Sequence, residues 1–135
     1  IVQPLEEVIC KIEPEVVYTH HFGDLNIDHQ ITNQATMTAC RPQPGKTISE
    51  IYTFEILSST GWGAPTVVNV FTPNTFIEIT DVWKKKVEAL YCYDTELIDF
   101  PHARSYKGIE ALAIYRGSSV GVKHAEAFSL ERRII

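Results

Sequence analysis

Ten consecutive residues, His20-His21-Phe22-Gly23-Asp24-Leu25-Asn26-Ile27-Asp28-His29, hold three histidines, two carboxylates and an amide. Imidazole nitrogen and carboxylate oxygen are ligands that zinc accepts, and a catalytic zinc keeps one further position open for water. The same groups serve as general acids and bases, imidazole because its pKa lies close to neutrality. His29, near Asp24 and Asp28, is the best single ligand candidate. Adjacent histidines also occur simply as surface residues or hydrogen-bonded core groups. A complete catalytic zinc site needs about three protein ligands, and no second cluster such as H-E-x-x-H occurs in the chain. The remaining ligands are therefore expected to be scattered or to lie outside it.

The run directly follows a strand-like Glu15-Val16-Val17-Tyr18-Thr19. A dense set of such side chains where a strand gives way to a helix suits the catalytic edge of an α/β enzyme. Asp28 is expected to cap a helix running to about Cys40, with Ile31, Ala35 and Ala39 inward and Arg41-Pro42 ending it. His29 then sits in the first helical turn. Upstream, Leu5, Val8, Ile9 and Ile12 fit a short amphipathic helix closed by Pro14.

Downstream, Tyr52, Phe54 and Ile56 alternate, while Val67-Val68, Val70-Phe71 and Phe76-Ile77 are β-rich, so two or three further strands are expected. The intervening Ser58-Ser59-Thr60-Gly61-Trp62-Gly63-Ala64-Pro65 is a loop by composition. Its Trp62 is either a stacking platform for a sugar ring or a cover for the core edge. Thr80 is the expected cap of a helix bearing Trp83, Val87, Leu90 and Tyr91. A second helix covers about Tyr106 to Arg116, with Gly117 as its stop, and residues 125–134 form a final strand or an extended arm.

At 135 residues and 44% hydrophobic, the chain is long enough for one compact unit with its own core. A net charge of -5 excludes an electrostatic nucleic-acid surface, since phosphate binding needs clustered Lys and Arg. The one basic run, Lys84-Lys85-Lys86, reads as a solvated helix face. Cys10, Cys40 and Cys92 are odd in number and lack C-x-x-C spacing, so buried thiols in a reducing cytosol are expected rather than a disulfide framework. No apolar run is long enough to cross a bilayer, and no signal-peptide pattern opens the chain. With no initiator methionine before Ile1, it reads as a cytoplasmic piece of something longer.

Val17-Tyr18-Thr19-His20-His21-Phe22-Gly23-Asp24-Leu25-Asn26-Ile27-Asp28-His29 resembles the second signature of the PIG-L/LmbE-like zinc deacetylase family. The resemblance extends through Thr38-Ala39-Cys40-Arg41-Pro42, Phe100-Pro101-His102-Ala103-Arg104-Ser105, Arg116 to Val122 and Ala125-Glu126-Ala127-Phe128. It implies an α/β fold, a Rossmann-like sheet with flanking helices, of which these residues are the C-terminal portion without the first strands. The family's first signature, His-Pro-Asp-Asp, supplies two zinc ligands and the general base, and is absent here.

By this resemblance His29 is the remaining zinc ligand, zinc (or another divalent metal) is the cofactor, and the substrate is a small N-acetylglucosamine-type sugar conjugate losing its acetyl group. A histidine three residues before the zinc ligand serves as electrophile in several members. Asn26 stands there, leaving His21, His102 or His124 to substitute. Asp28 is better read as orienting an imidazole or capping the helix than as a direct ligand. Asp24, Asn26, Arg41, Trp62 and Arg104 are candidates for holding the sugar or a phosphate, against ordinary ion-pair readings for the two arginines. The missing N-terminal segment is the expected partner. An unpaired central strand is expected to drive self-association into a homo-oligomer. The competing readings are a non-catalytic carbohydrate-binding or assembly module on the same scaffold, and a nucleotide-binding domain. The last lacks any G-x-G-x-x-G loop.

Overall fold

The computed structural model describes residues 1–45 and 48–135. Its contacts divide into two compact units, residues 1–73 with 128–135, and residues 74–127.

The first unit opens with α1 (Val2–Ile12), which ends where Glu13 adopts a left-handed conformation and donates its N–H to the Ile9 carbonyl. β1 (Val16–His20) and β2 (Glu50–Phe54) run parallel in the register Val16↔Glu50 to His20↔Phe54. Parallel neighbours need a crossover connection, and α2 (Ile27–Ala39) lies within it. The result is a βαβ unit that sets the C-terminal end of β1 close before the N-terminus of α2. Cys40, Ile48 and Ile51 form its buried centre, with Ile9, Val17 and Met37 packed against them. β2 pairs on its other side with antiparallel β4 (Ala125–Arg133) from Glu50↔Arg133 to Phe54↔Phe128. The four-stranded sheet has the order β1-β2-β4-β3, with β3 at Thr75–Glu78. The α/β class with flanking helices is as the sequence implied, and the tail takes its strand form.

Two local expectations fail in this unit. The cap of α2 is Asn26, whose side chain accepts the Asp28 N–H at 2.9 Å from an extended backbone, while Asp28 is already helical. An Ncap oxygen must reach an N–H two or three residues ahead, and Asn26 is the residue placed to do so. Val67 and Val68 are not in a strand. Thr66 accepts the N–H groups of Asn69 and Val70 in a turn, leaving the two valines 96% and 68% exposed. Pro65 and Pro73 bound this stretch, and proline cannot donate to a sheet ladder.

In the second unit, Thr80 begins a short 3₁₀ turn, Thr80–Val82, ahead of α3 (Trp83–Tyr91). It makes no side-chain cap there; its hydroxyl accepts the His124 N–H at 3.2 Å instead. α4 spans Tyr106–Ser118 and is capped by the Ser105 hydroxyl, which accepts the Gly108 N–H. Gly117 is inside the helix rather than after it: an added Cβ would stand 2.7 Å from the Val122 carbonyl oxygen. Lys84 and Lys85 are solvent-exposed, whereas Lys86 pairs with Glu126. Cys40 is buried as expected, but Cys10 and Cys92 are exposed. Among the described residues no helix is long and apolar enough to cross a membrane.

Candidate functional site

The turn from β1 into α2 brings its polar groups together because a second loop is pressed onto it. Gly23 lies against Asn69 so closely that a Cβ would come within 2.4 Å of the Asn69 carbonyl oxygen and 2.7 Å of its Cα. The Leu25 N–H donates to the Ser59 carbonyl at 3.4 Å. Only glycine permits backbones to approach in this way.

Asp24 is the hub. Its side chain is fully shielded, and each carboxylate oxygen accepts twice. Oδ1 receives the Asn26 N–H at 2.8 Å and meets His29 Nδ1 at 3.2 Å. Oδ2 receives the Ser59 hydroxyl at 2.9 Å and the Thr60 hydroxyl at 2.6 Å. Burial alone would raise this carboxyl's pKa, but the hydrogen bonds from Thr60, Asn26, Ser59 and His29 together outweigh it and hold it below its usual value. Asp24 is therefore ionised near neutrality and can only accept. The proton between it and His29 belongs to Nδ1, which leaves the lone pair of a neutral His29 on Nε2.

His20 stacks on His29 with ring centroids 4.0 Å apart and planes 16° from parallel, and Phe54 lies 4.8 Å from His20. Burial lowers the His20 pKa, His29 adds to the effect and Asp24 opposes it. His20 Nδ1 is buried and unpartnered among the described residues. His21 is 4% exposed, and its Nε2 stands 2.9 Å from the Asn69 carbonyl oxygen, a partner that requires the proton on Nε2. Its ring packs on Phe22 and edge-on to Phe71.

The other sequence candidates are placed as follows. The carboxylate that meets His29 is that of Asp24, and Asp28 is exposed in the first turn of α2, where a negative charge complements the helix dipole. This corrects the orienting role given to Asp28. Both Asp24 oxygens are engaged by Asn26, His29, Ser59 and Thr60. Asn26 is exposed and caps α2. Arg41 bridges Glu6 at 2.7 Å and the Thr38 carbonyl at 2.8 Å, tying α2 to α1. Trp62 is 54% exposed at the end of a 3₁₀ turn, Thr60–Trp62.

His102, Arg104 and His124 belong to the second unit. His102 Nδ1 accepts the Arg104 N–H, and Arg104 pairs with Glu96 at 2.7 Å. His124 is 4% exposed, stacked on Trp83 at 4.7 Å and 5°. Sequence spacing missed Ser59, Thr60 and Asn69, for which loop composition next to a β-strand was the one signal, and it gave His20 no role beyond membership of the histidine run.

Ser59, His29 and Asp24 do not form a nucleophilic triad. A serine nucleophile must face the ring nitrogen opposite the carboxylate. Here Ser59 donates to Asp24 and lies 3.4 Å from the same Nδ1 that Asp24 engages. The arrangement instead matches the carboxylate–histidine pair that prepares an imidazole to bind a metal through its other nitrogen. His29 fits one zinc ligand on that ground. Among the described residues no group of three His, Cys, Asp or Glu side chains could hold a metal.

No family model and no curated protein sequence matches the chain. Solved structures do. The N,N'-diacetylchitobiose deacetylase from Pyrococcus horikoshii, complexed with its inhibitor MPG, superposes with a TM-score of 0.69 at 16% identity, over 97% of this chain and 51% of its own. The conserved protein TT1542 from Thermus thermophilus gives 0.71 at 18%, over 99% and 59%. The antimicrobial reagent A40926 pseudoaglycone deacetylase Dbv21 gives 0.69 at 16%, over 99% and 56%. At these identities the likeness establishes the fold, and the chain spans little more than half the length of each structure.

Proposed function

We propose that this chain contributes one imidazole ligand to a zinc-dependent hydrolase that removes the acetyl group from an N-acetylglucosamine-type sugar conjugate, the remaining ligands lying outside residues 1–135. The observation that carries the reading is the Asp24–His29 contact at 3.2 Å, with Nδ1 engaged and Nε2 left for a metal. The resemblance of residues 17–29 to the deacetylase signature supports it. So does the fold shared with two proteins described as deacetylases.

When bound, zinc would polarise the amide carbonyl and lower the pKa of its water. His29 supplies the lone pair, Asp24 fixes which nitrogen offers it, and His20, kept neutral by burial, packs on the His29 ring without adding a competing cation. At Asn26 the side-chain oxygen is engaged by the Asp28 N–H. Its NH₂ can donate a hydrogen bond but cannot exchange a proton near neutral pH.

The test is zinc titrated into the purified chain with ring-labelled histidines, together with acetate release from N-acetylglucosamine conjugates by the protein that includes the rest of the fold. His29 signals should move with zinc, and His29→Ala should abolish both metal retention and turnover. Retained zinc and full activity in His29→Ala would overturn the ligand assignment. The 54% exposed Trp62, whose ring could stack on a sugar, supports the second reading, a non-catalytic carbohydrate-binding or assembly module on the same scaffold. Glycan binding that survives chelation, with no acetate released, would select it.

A further inference from the structure

We infer that Ser59 and Thr60 are positioning residues that set the tautomer of His29 through Asp24. This rests on the reading of His29 as a metal ligand for its functional meaning, though not for its geometry. Both hydroxyls donate to Oδ2 of Asp24, at 2.9 and 2.6 Å, so that oxygen is satisfied from one side. Oδ1 is thereby turned toward the fixed Asn26 N–H and His29 Nδ1.

The hydroxyls are themselves held. The Ile56 carbonyl accepts the N–H groups of both Ser59 (3.0 Å) and Thr60 (2.7 Å), and the Thr60 hydroxyl oxygen accepts the Ile56 N–H at 2.8 Å. Ser59 is 8% exposed. The segment just beyond β2 thus delivers two donors, 35 and 36 positions from Asp24 in sequence, to one carboxylate oxygen. Without them only the Asn26 N–H holds the carboxylate, and rotation about Cβ–Cγ weakens the contact that ties the His29 proton to Nδ1. A neutral imidazole with its proton on Nε2 offers no lone pair to a ligand on that side.

The experiment measures the ring-nitrogen NMR spectrum of ¹⁵N-histidine-labelled chain, first alone and then with zinc, for wild type, Ser59→Ala, Thr60→Val, the double variant and Thr60→Ser. In the wild type, His29 should carry its proton on Nδ1. Ser59→Ala and Thr60→Val should each populate the Nε2–H form, and the double variant should do so most. Zinc affinity at His29 should fall with it, by about 10–100-fold, the usual cost of losing a partner that orients a ligand. Thr60→Ser, which keeps the hydroxyl, should restore both.

An unchanged Nδ1–H tautomer in the folded single variants would overturn the inference. If the double variant fails to fold, the contrast between Thr60→Val and Thr60→Ser decides it. A wild-type His29 that is protonated on Nδ1 yet unmoved by zinc would refute the metal reading and leave the positioning role standing.

Discussion

Replacing Asp24 tests the organisation of the site, because Ala and Asn variants should behave very differently. Asp24→Ala removes the acceptor of four donors at once. The Ser59 and Thr60 hydroxyls can swing to other partners, whereas the Asn26 N–H and the His29 ring, stacked on His20, stay in place. A hydrogen bond to a charged group contributes about 1.5–3 kcal/mol, so losing two of them costs about 3–6 kcal/mol. Asp24→Asn keeps an oxygen for the two fixed donors and sets its NH₂ against two hydroxyls, which can reverse and accept. Only the charge is lost. Neutral hydrogen bonds are roughly half as strong as charge-assisted ones, which puts the cost at about 1–2 kcal/mol.

Urea unfolding at pH 7, with an unchanged m-value, reads both. Equal damage from Asn and Ala, or less than about 0.5 kcal/mol from either, would refute the buried hub. The pH dependence has a fixed sign. The folded-state pKa of Asp24 is depressed, so its contribution is fully present above the unfolded value of about 3.9 and is lost as pH falls through the lower folded value. The stability advantage of wild type over Asp24→Asn should therefore be constant near neutrality and shrink below about pH 4.

Two further outcomes test the packing. Gly23→Ala drives a Cβ into the Asn69 backbone, and should cost about 1–3 kcal/mol and make residues 59–73 more sensitive to limited proteolysis, whereas Gly61→Ala, whose Cβ would meet only Leu57 Cδ1 at 3.7 Å, should stay within about 0.5 kcal/mol. Ile51→Ala, at a fully buried position beside Cys40 and Ile48, should lower stability by about 2–5 kcal/mol in the same unfolding assay, and Val67→Ala should change it little.

The regular elements were legible because each carries its own period. α1 shows Leu5, Val8, Ile9 and Ile12 at helical spacing, and the β2 region shows Tyr52, Phe54 and Ile56 at every second position. Details set by one hydrogen bond were not. Asn26 and Asp28 are both good capping residues, and sequence cannot say which one has the extended backbone that a cap requires. Val67-Val68 has strand composition, yet a turn between two prolines overrides it. The histidine run was visible as a cluster, but its chemistry depends on Ser59, Thr60 and Asn69, which lie 30 or more positions away from the turn and have no spacing rule to reveal them. The buried placement of His124 was hidden for the same reason, since its stacking partner, Trp83, is a residue of another element.

Two of these distant contacts explain why the turn is organised in advance of any ligand. His21 and His29 sit on the same short connection, and each is held to one tautomer by a partner from the loop after β2: His21 by the Asn69 carbonyl, His29 by the carboxylate that Ser59 and Thr60 hold. The two carry their protons on opposite nitrogens, Nε2 in His21 and Nδ1 in His29. A connection serving only to join β1 to α2 would need neither, since Asn26 already caps the helix and the Asn33 amide already binds the His20 carbonyl. A buried carboxylate is costly unless its acceptors are filled. Here one of its four donors is a ring nitrogen whose opposite face is left for a ligand. That asymmetry sets His29 apart from the buried His21, and it is the feature on which the proposed metal role of His29 rests.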